Sequence, residues 1–121
     1  MTLLHHVQVC CPRGGEDAAR RFYAGLLGLV EVDKPLELAG RGGVWFRGVG
    51  YELHVGVEDP FVPARKAHPA FLVGDIDALA ERAAETGLEV TWDGAFPGYR
   101  RFHLADPHGN RVELLGSEAT S

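Results

Sequence analysis

The chain has 121 residues, 45% hydrophobic and 24% charged, the size and balance of one ordinary compact domain, which excludes disordered and collagen-like classes. Lys and Arg number 12 against 17 Asp and Glu, a formal charge of −5, and no basic run gathers, so nucleic acid is not an expected partner. No segment is long and apolar enough for a bilayer, the N-terminus has no basic region followed by an apolar run, and the adjacent Cys10 and Cys11 would strain a mutual disulfide; a cytoplasmic, membrane-free protein is expected.

Residues 4–11 are rich in Val and stop at Pro12-Arg13-Gly14-Gly15, the pattern of a strand followed by a turn. Over residues 16–27, Ala18, Ala19, Phe22, Tyr23, Leu26 and Leu27 recur at threes and fours, which places them on one helical face. Glu16 and Asp17 stand where a helix dipole favours negative charge, and Gly28 where a left-handed cap ends the helix. Short runs at 29–32, 44–47 and 51–57, set off by Gly42-Gly43 and Gly48-Val49-Gly50, read as strands.

After a connector holding Pro60 and Pro63 the same order returns: strand 68–73, helix 75–86, Gly87, then strands 88–92, 99–104 and 111–115. His6 and His68 open first strands, Gly28 and Gly87 close helices, and Glu52 and Glu113 lie in last strands, each pair about 60 residues apart. The expected fold is α+β, a single domain over 1–121. It comprises two βαβββ modules, about 1–58 and 66–117, related by a pseudo-twofold and forming a curved cup-like or barrel-like sheet with helices outside. Either sheet alone would leave an apolar face in water.

The repeat sets His6 with Glu52 and His68 with Glu113. If the first and last strands of each module are neighbours, about 4.8 Å apart, a histidine and a carboxylate on the same face can meet one ion. The pseudo-twofold would then bring the two pairs together. Imidazole with carboxylate suits a divalent Zn, Ni, Mn, Fe or Co and not Cu(I). Glu113, between Val112 and Leu114, needs a cation if it points inward. His54 shares the face of Glu52 by alternation and is either the fourth ligand or a general base, with repeat symmetry favouring Glu52 as ligand.

Arg101 and His103 share one strand face and are candidates for substrate contact, Arg101 as part of an anion clamp; Trp45 is a candidate for lining the cup. Ordinary surface roles also suffice for His103 and His108, His5 has the opposite parity to His6 and is expected at the surface, and Cys10 reads as an inert thiol.

Leu4-His5-His6-Val7, then Arg21-Phe22-Tyr23 with Leu27-Gly28-Leu29, then His68-Pro69-Ala70, then Asp106-Pro107-His108-Gly109-Asn110-Arg111-Val112-Glu113 follow one another in an order that resembles the vicinal oxygen chelate superfamily. That superfamily includes glyoxalase I, bleomycin-resistance proteins, fosfomycin-resistance enzymes and extradiol dioxygenases, and the resemblance covers nearly the whole chain. It implies a metal held at His6, His68 and Glu113, with Glu52 as the fourth ligand in glyoxalase-like members. Substrates in the family bind through adjacent oxygens, and the ion stabilises an enolate, alkoxide or peroxide. The resemblance also implies a homodimer, in which some relatives draw the metal pairs from two chains.

Glutathione-using glyoxalases carry an arginine four positions after the first ligand histidine; Cys10 stands there, which speaks against lactoylglutathione lyase activity. The leading expectation is a glyoxalase-like metal-dependent enzyme of lyase, isomerase or dioxygenase type acting on a small oxygenated substrate, with Glu113 or His54 moving the proton. The second is a non-catalytic drug- or metabolite-binding protein of the bleomycin-resistance kind. Specificity is expected in the loops at 36–43 and 93–98.

Overall fold

The computed structural model describes residues 1–118 and divides into two compact units, Met1–Pro63 and the chain from Ala64 onward. Strands β1 (His6–Cys11), β2 (Val30–Val32), β3 (Val44–Arg47) and β4 (Glu52–Val57) form one sheet in the order β1-β4-β3-β2. In the second unit β5 (Ala70–Leu72), β6 (Thr91–Trp92), β7 (Tyr99–Ala105) and β8 (Arg111–Ser117) form another in the order β5-β8-β7-β6. Each sheet pairs its first strand parallel to its last and its other neighbours antiparallel. The α+β class and the repeated βαβββ order expected from the sequence are both present.

The first helix starts as α1 (Glu16–Ala19) and continues as a π-helical segment, Arg20–Leu26, where an unbroken α-helix was expected. Leu27 N–H donates to the Phe22 carbonyl, five residues back. The wider turn lets the consecutive Phe22 and Tyr23 both be buried, beside Ala19 and Leu26. They cover the face of the first sheet that carries Val44, Phe46, Leu53 and Val55, all buried, with the Tyr23 and Phe46 rings 5.8 Å apart. Burying side chains of this size is worth about 1.5–3 kcal/mol each. A short helix, α2 (Leu36–Ala39), occupies part of the loop at 36–43 and was not anticipated.

In the second unit α3 (Ile76–Glu85) is capped by Asp75, whose Oδ1 accepts the Ala78 N–H at 3.0 Å. It buries Ile76, Leu79, Ala80 and Ala83, and it packs closely on β8, where a Cβ at Gly116 would stand 2.8 Å from Ile76 Cγ2. Two strands of this unit are about half as long as expected. Pro69 has no N–H to give the ladder, so β5 begins at Ala70 and His68 lies ahead of it. Leu88 N–H donates to the Ala83 carbonyl, which ties it to the helix end and delays β6 to Thr91. Among the described residues no helix is long and apolar enough to cross a membrane.

The entry to β3 is locked to α1 through Gly43, whose N–H donates to Glu16 Oε2 at 2.9 Å. Gly43 has φ +87°, and a Cβ there would overlap the Val55 carbonyl oxygen. Gly43→Ala is expected to cost roughly 2–4 kcal/mol, against about 1–2 kcal/mol for Gly50→Ala, which shares the left-handed φ but has open space around it. Urea unfolding of the two variants measures the difference; equal midpoints would contradict this packing.

Hydrogen bonds from the Gly43 N–H and from its own N–H hold the Glu16 carboxyl below its usual range, against partial burial. A lowered folded pKa means that the contribution is complete above the unfolded carboxylate value and disappears as pH falls through the folded one. Glu16→Gln is therefore expected to be less stable than the parent near neutrality, with the gap closing as pH falls below the ordinary carboxylate value and through the lowered folded one. A gap independent of pH would exclude the role given to the Gly43 contact.

Candidate metal and ligand site

Strand alternation sends Val112 and Leu114 of β8 to the face covered by α3, and Glu113 to the other face. Directly across on β7 stands His103, and Arg101 lies opposite Leu115 on the same face. The start of β8 is set by the turn before it. Asp106 Oδ1 accepts the N–H groups of His108 and Asn110 at 2.9 and 3.0 Å, Gly109 takes φ +93°, and the buried Asn110 gives its Nδ2–H to Asp106 Oδ2 at 2.9 Å while its Oδ1 accepts the Ala64 N–H at 3.1 Å. The motif noted in the sequence is thus a self-bonded turn that aims Glu113.

Glu113 is 5% exposed. Its Oε1 lies 2.8 Å from His68 Nε2 and 3.3 Å from His103 Nε2, while its Oε2 accepts from Arg101 Nη1 at 3.4 Å. The Arg101 guanidinium also gives Nη2–H to Asp93 Oδ2 at 2.9 Å. Burial alone would raise the Glu113 carboxyl, but the contacts with His68, Arg101 and His103 outweigh it and hold the group below its usual value. The His103 imidazole is held below its ordinary value by burial and then by the Arg111 charge, with Glu113 pulling the other way. His103 therefore favours its neutral form, the form that ligates metals.

His68 Nδ1 lies 2.7 Å from the Lys66 carbonyl oxygen. A carbonyl only accepts, so Nδ1 carries the proton, and in a neutral imidazole Nε2 is then a bare lone pair. That lone pair faces a carboxylate oxygen, another acceptor. Two acceptors at 2.8 Å require a cation between or beside them: with a proton on Nε2 the imidazolium donates to Glu113, the state in which His68 lowers that carboxyl, and with a metal ion both atoms are ligands.

The donor set fits a divalent ion. Two ligand atoms each about 2.1 Å from one ion stand about 3.0 Å apart at a right angle and about 3.4 Å apart at the tetrahedral angle, and the two imidazole–carboxylate separations here are 2.8 and 3.3 Å. A carbonyl that fixes the tautomer of a ligating histidine is also the usual outer support of such sites. Among the described residues, the one group of three whose ligand atoms all lie within 4.8 Å of one another is His68, His103 and Glu113.

The first unit carries its own cluster on the sheet face away from the α1 side. His6 is the register partner of Glu52, as expected if first and last strands are neighbours, and Trp45 is the partner of His54. The three rings of His6, His54 and Trp45 stack across adjacent strands, with centroids 4.1 and 3.8 Å apart and planes within 13° and 5°. His54 is 4% exposed and its Nε2 lies 2.8 Å from Glu52 Oε1. Burial holds the His54 imidazole below its ordinary value in spite of Glu52, and the His54 contact lowers the Glu52 carboxyl. His5 is exposed, as anticipated, and its Nδ1 lies 2.9 Å from that of His6.

The repeat is less regular at the histidines than the sequence spacing implied. Glu52 N–H donates to the carbonyl of His5, one residue before His6, whereas Glu113 N–H donates to that of Pro69, one residue after His68. His68 is thus shifted by two residues relative to His6 and approaches Glu113 diagonally. His103, considered only for substrate contact or a surface role, joins the ligand group. Its parity with Arg101 was visible, but its pairing with Glu113 depends on a register that spacing alone does not reveal. Asp93, the partner of Arg101, carried no sequence signal beyond its place in a loop.

The sequence matches the model of the glyoxalase-like domain over residues 8–115. No curated protein matches it. Among solved structures it is 44% identical to a protein of the glyoxalase family from Bacillus anthracis, covering 98% of this chain and 97% of that one with a TM-score of 0.92. The fosfomycin resistance protein FosX from Listeria monocytogenes is 16% identical, with 98% and 96% covered and a TM-score of 0.77. TnmS3, an antibiotic binding protein from Streptomyces sp. CB03234, is 21% identical, with 98% of each chain covered and a TM-score of 0.76. The last two share the fold alone. By the domain match and the Bacillus relative, the chain belongs to the glyoxalase-like family, within the glyoxalase/bleomycin resistance/dioxygenase, or vicinal oxygen chelate, superfamily.

Proposed function

We propose that this protein is a divalent-metal-dependent enzyme of the glyoxalase-like kind acting on a small oxygenated substrate. The observation that carries this reading is the pair of acceptors, His68 Nε2 and Glu113 Oε1, held 2.8 Å apart with His103 beside them. A divalent ion bound by these three side chains would supply Lewis-acid polarisation of a substrate carbonyl or hydroxyl. The Lys66 carbonyl holds His68 in the ligating tautomer. Arg101 neutralises Glu113 Oε2 and leaves Oε1 to the histidines. Glu113, kept ionised by these contacts, is a proton acceptor within the same cluster. His6 and Glu52 remain the second candidate metal pair, His54 a candidate proton carrier, and Trp45 with Arg101 candidate substrate contacts. The family resemblance supports a homodimer, and the adjacent Cys10 and Cys11, unsuited to a mutual disulfide, fit a reducing, cytoplasmic setting.

After supplementation with Zn, Ni, Mn, Fe or Co in turn and desalting, the protein is expected to keep close to one equivalent of at least one of them. His68→Ala should weaken that binding at least about 100-fold, more than the loss usual for an outer-shell change. Elemental analysis decides it: a parent that keeps no metal, or a variant that keeps as much as the parent, removes the proposal.

A second reading, a non-catalytic binding protein, is favoured by one contact, the Arg101–Glu113 ion pair at 3.4 Å, which compensates the buried carboxylate without an ion. Under that reading a drug-sized ligand raises the melting temperature in excess chelator; under the leading one, the stabilisation disappears when the metal is removed.

A further inference from the structure

Arg111 opens β8 opposite Ala105, two residues before Glu113 and hence on the same sheet face as Glu113, His103 and Arg101. Its Nε is buried without a hydrogen-bond partner, and among the described residues it makes no ion pair. The Arg101 Nε is in the same condition, although its terminal nitrogens meet Asp93 and Glu113. A buried donor left unpaired costs about 1–3 kcal/mol. Two such donors on one face point to an acceptor that the protein does not itself supply.

Beside Arg111 lies a hollow of about 840 Å³, lined by it with Arg65, His103, Asp93, Asp106 and Glu89 among others, a volume suited to a small organic ligand. Its charged lining is Arg65 and Arg111 with Glu89, Asp93 and Asp106. Asp93 is committed to Arg101 and Asp106 to the N–H groups of His108 and Asn110 and the Asn110 amide, while Arg65 and Arg111 meet no carboxylate among the described residues. A guanidinium offers a planar fork of donors matched to carboxylate and phosphate oxygens.

We infer that this hollow takes an anionic group of the substrate, a carboxylate or a phosphorus oxyanion, on Arg111, with Arg65 adding positive charge, so that the rest of the molecule is presented to His103 and Glu113. The identification of the bound group as substrate rests on the function proposed above, whereas the anion subsite itself needs no metal. Glu89 lowers the affinity of this subsite by repulsion.

Calorimetric titration of the full chain with inorganic phosphate, with oxalate and with uncharged catechol, each in chelator and again after metal loading, tests it. Phosphate or oxalate is expected to bind under both conditions, and which of the two binds tighter assigns the oxyanion class. Arg111→Gln should weaken that binding by about 10-fold or more, Arg111→Lys by less, and Glu89→Gln should strengthen it; a merely structural role for Arg111 would not respond to the Glu89 charge. The inference is overturned if neither anion binds the parent, if Arg111→Gln binds them as the parent does, or if binding occurs only with metal and ignores both substitutions. Anion binding in chelator by a protein that never retains metal would uphold the subsite while removing the enzymatic reading. Should Arg111→Gln fail to fold, the Arg111→Lys and Glu89→Gln pair carries the same test.

Discussion

The hydrogen bond between His68 Nδ1 and the Lys66 carbonyl decides what the second sheet can hold. It turns the imidazole into a lone-pair donor aimed at a buried carboxylate, an arrangement that is repulsive until a cation joins it. Much of the local structure serves this contact. Pro69 ends the ladder early enough for His68 to swing across, the Asp106–Asn110 turn sets the start of β8, and the β7–β8 register places His103 against Glu113.

The same face carries more positive charge than one carboxylate needs. Arg101 is shared between Asp93 and Glu113, and Arg111 has no acidic partner among the described residues. A site of this kind can accept a metal and an anionic ligand side by side, because the anion's oxygens relieve the buried donors and the cation relieves the lone pairs of His68 and Glu113. In the first unit the corresponding face is built from stacked rings, His6, His54 and Trp45. Arg101 occupies the cross-strand position there held by Trp45, and His103 the one held by Arg47. The two halves share a backbone plan and differ in chemistry.

The plan was legible in the sequence because hydrophobic spacing and glycine stops report on backbone periodicity, and both recur in the two halves. The duplicated His6/Glu52 and His68/Glu113 pairs were legible for the same reason. What escaped was set by tertiary context. A two-residue shift at His68 preserves strand parity and therefore leaves no trace in the alternation pattern. His103 becomes a ligand candidate only through its cross-strand partner, and the π-helical winding at Arg20–Leu26 follows from the need to bury two consecutive aromatic residues. Arg111 stood inside a recognised motif, but its unpaired Nε depends on what β7 and β8 place around it.

The most direct measurement is the imidazole nitrogen spectrum of uniformly ¹⁵N-labelled protein, recorded by long-range proton–nitrogen correlation before and after addition of Zn(II). The account predicts a His68 signal with the proton on Nδ1 throughout, and Nε2 resonances of His68 and His103 that move to metal-bound positions together. A His68 ring protonated on Nε2, or Nε2 resonances that ignore the ion, would contradict it.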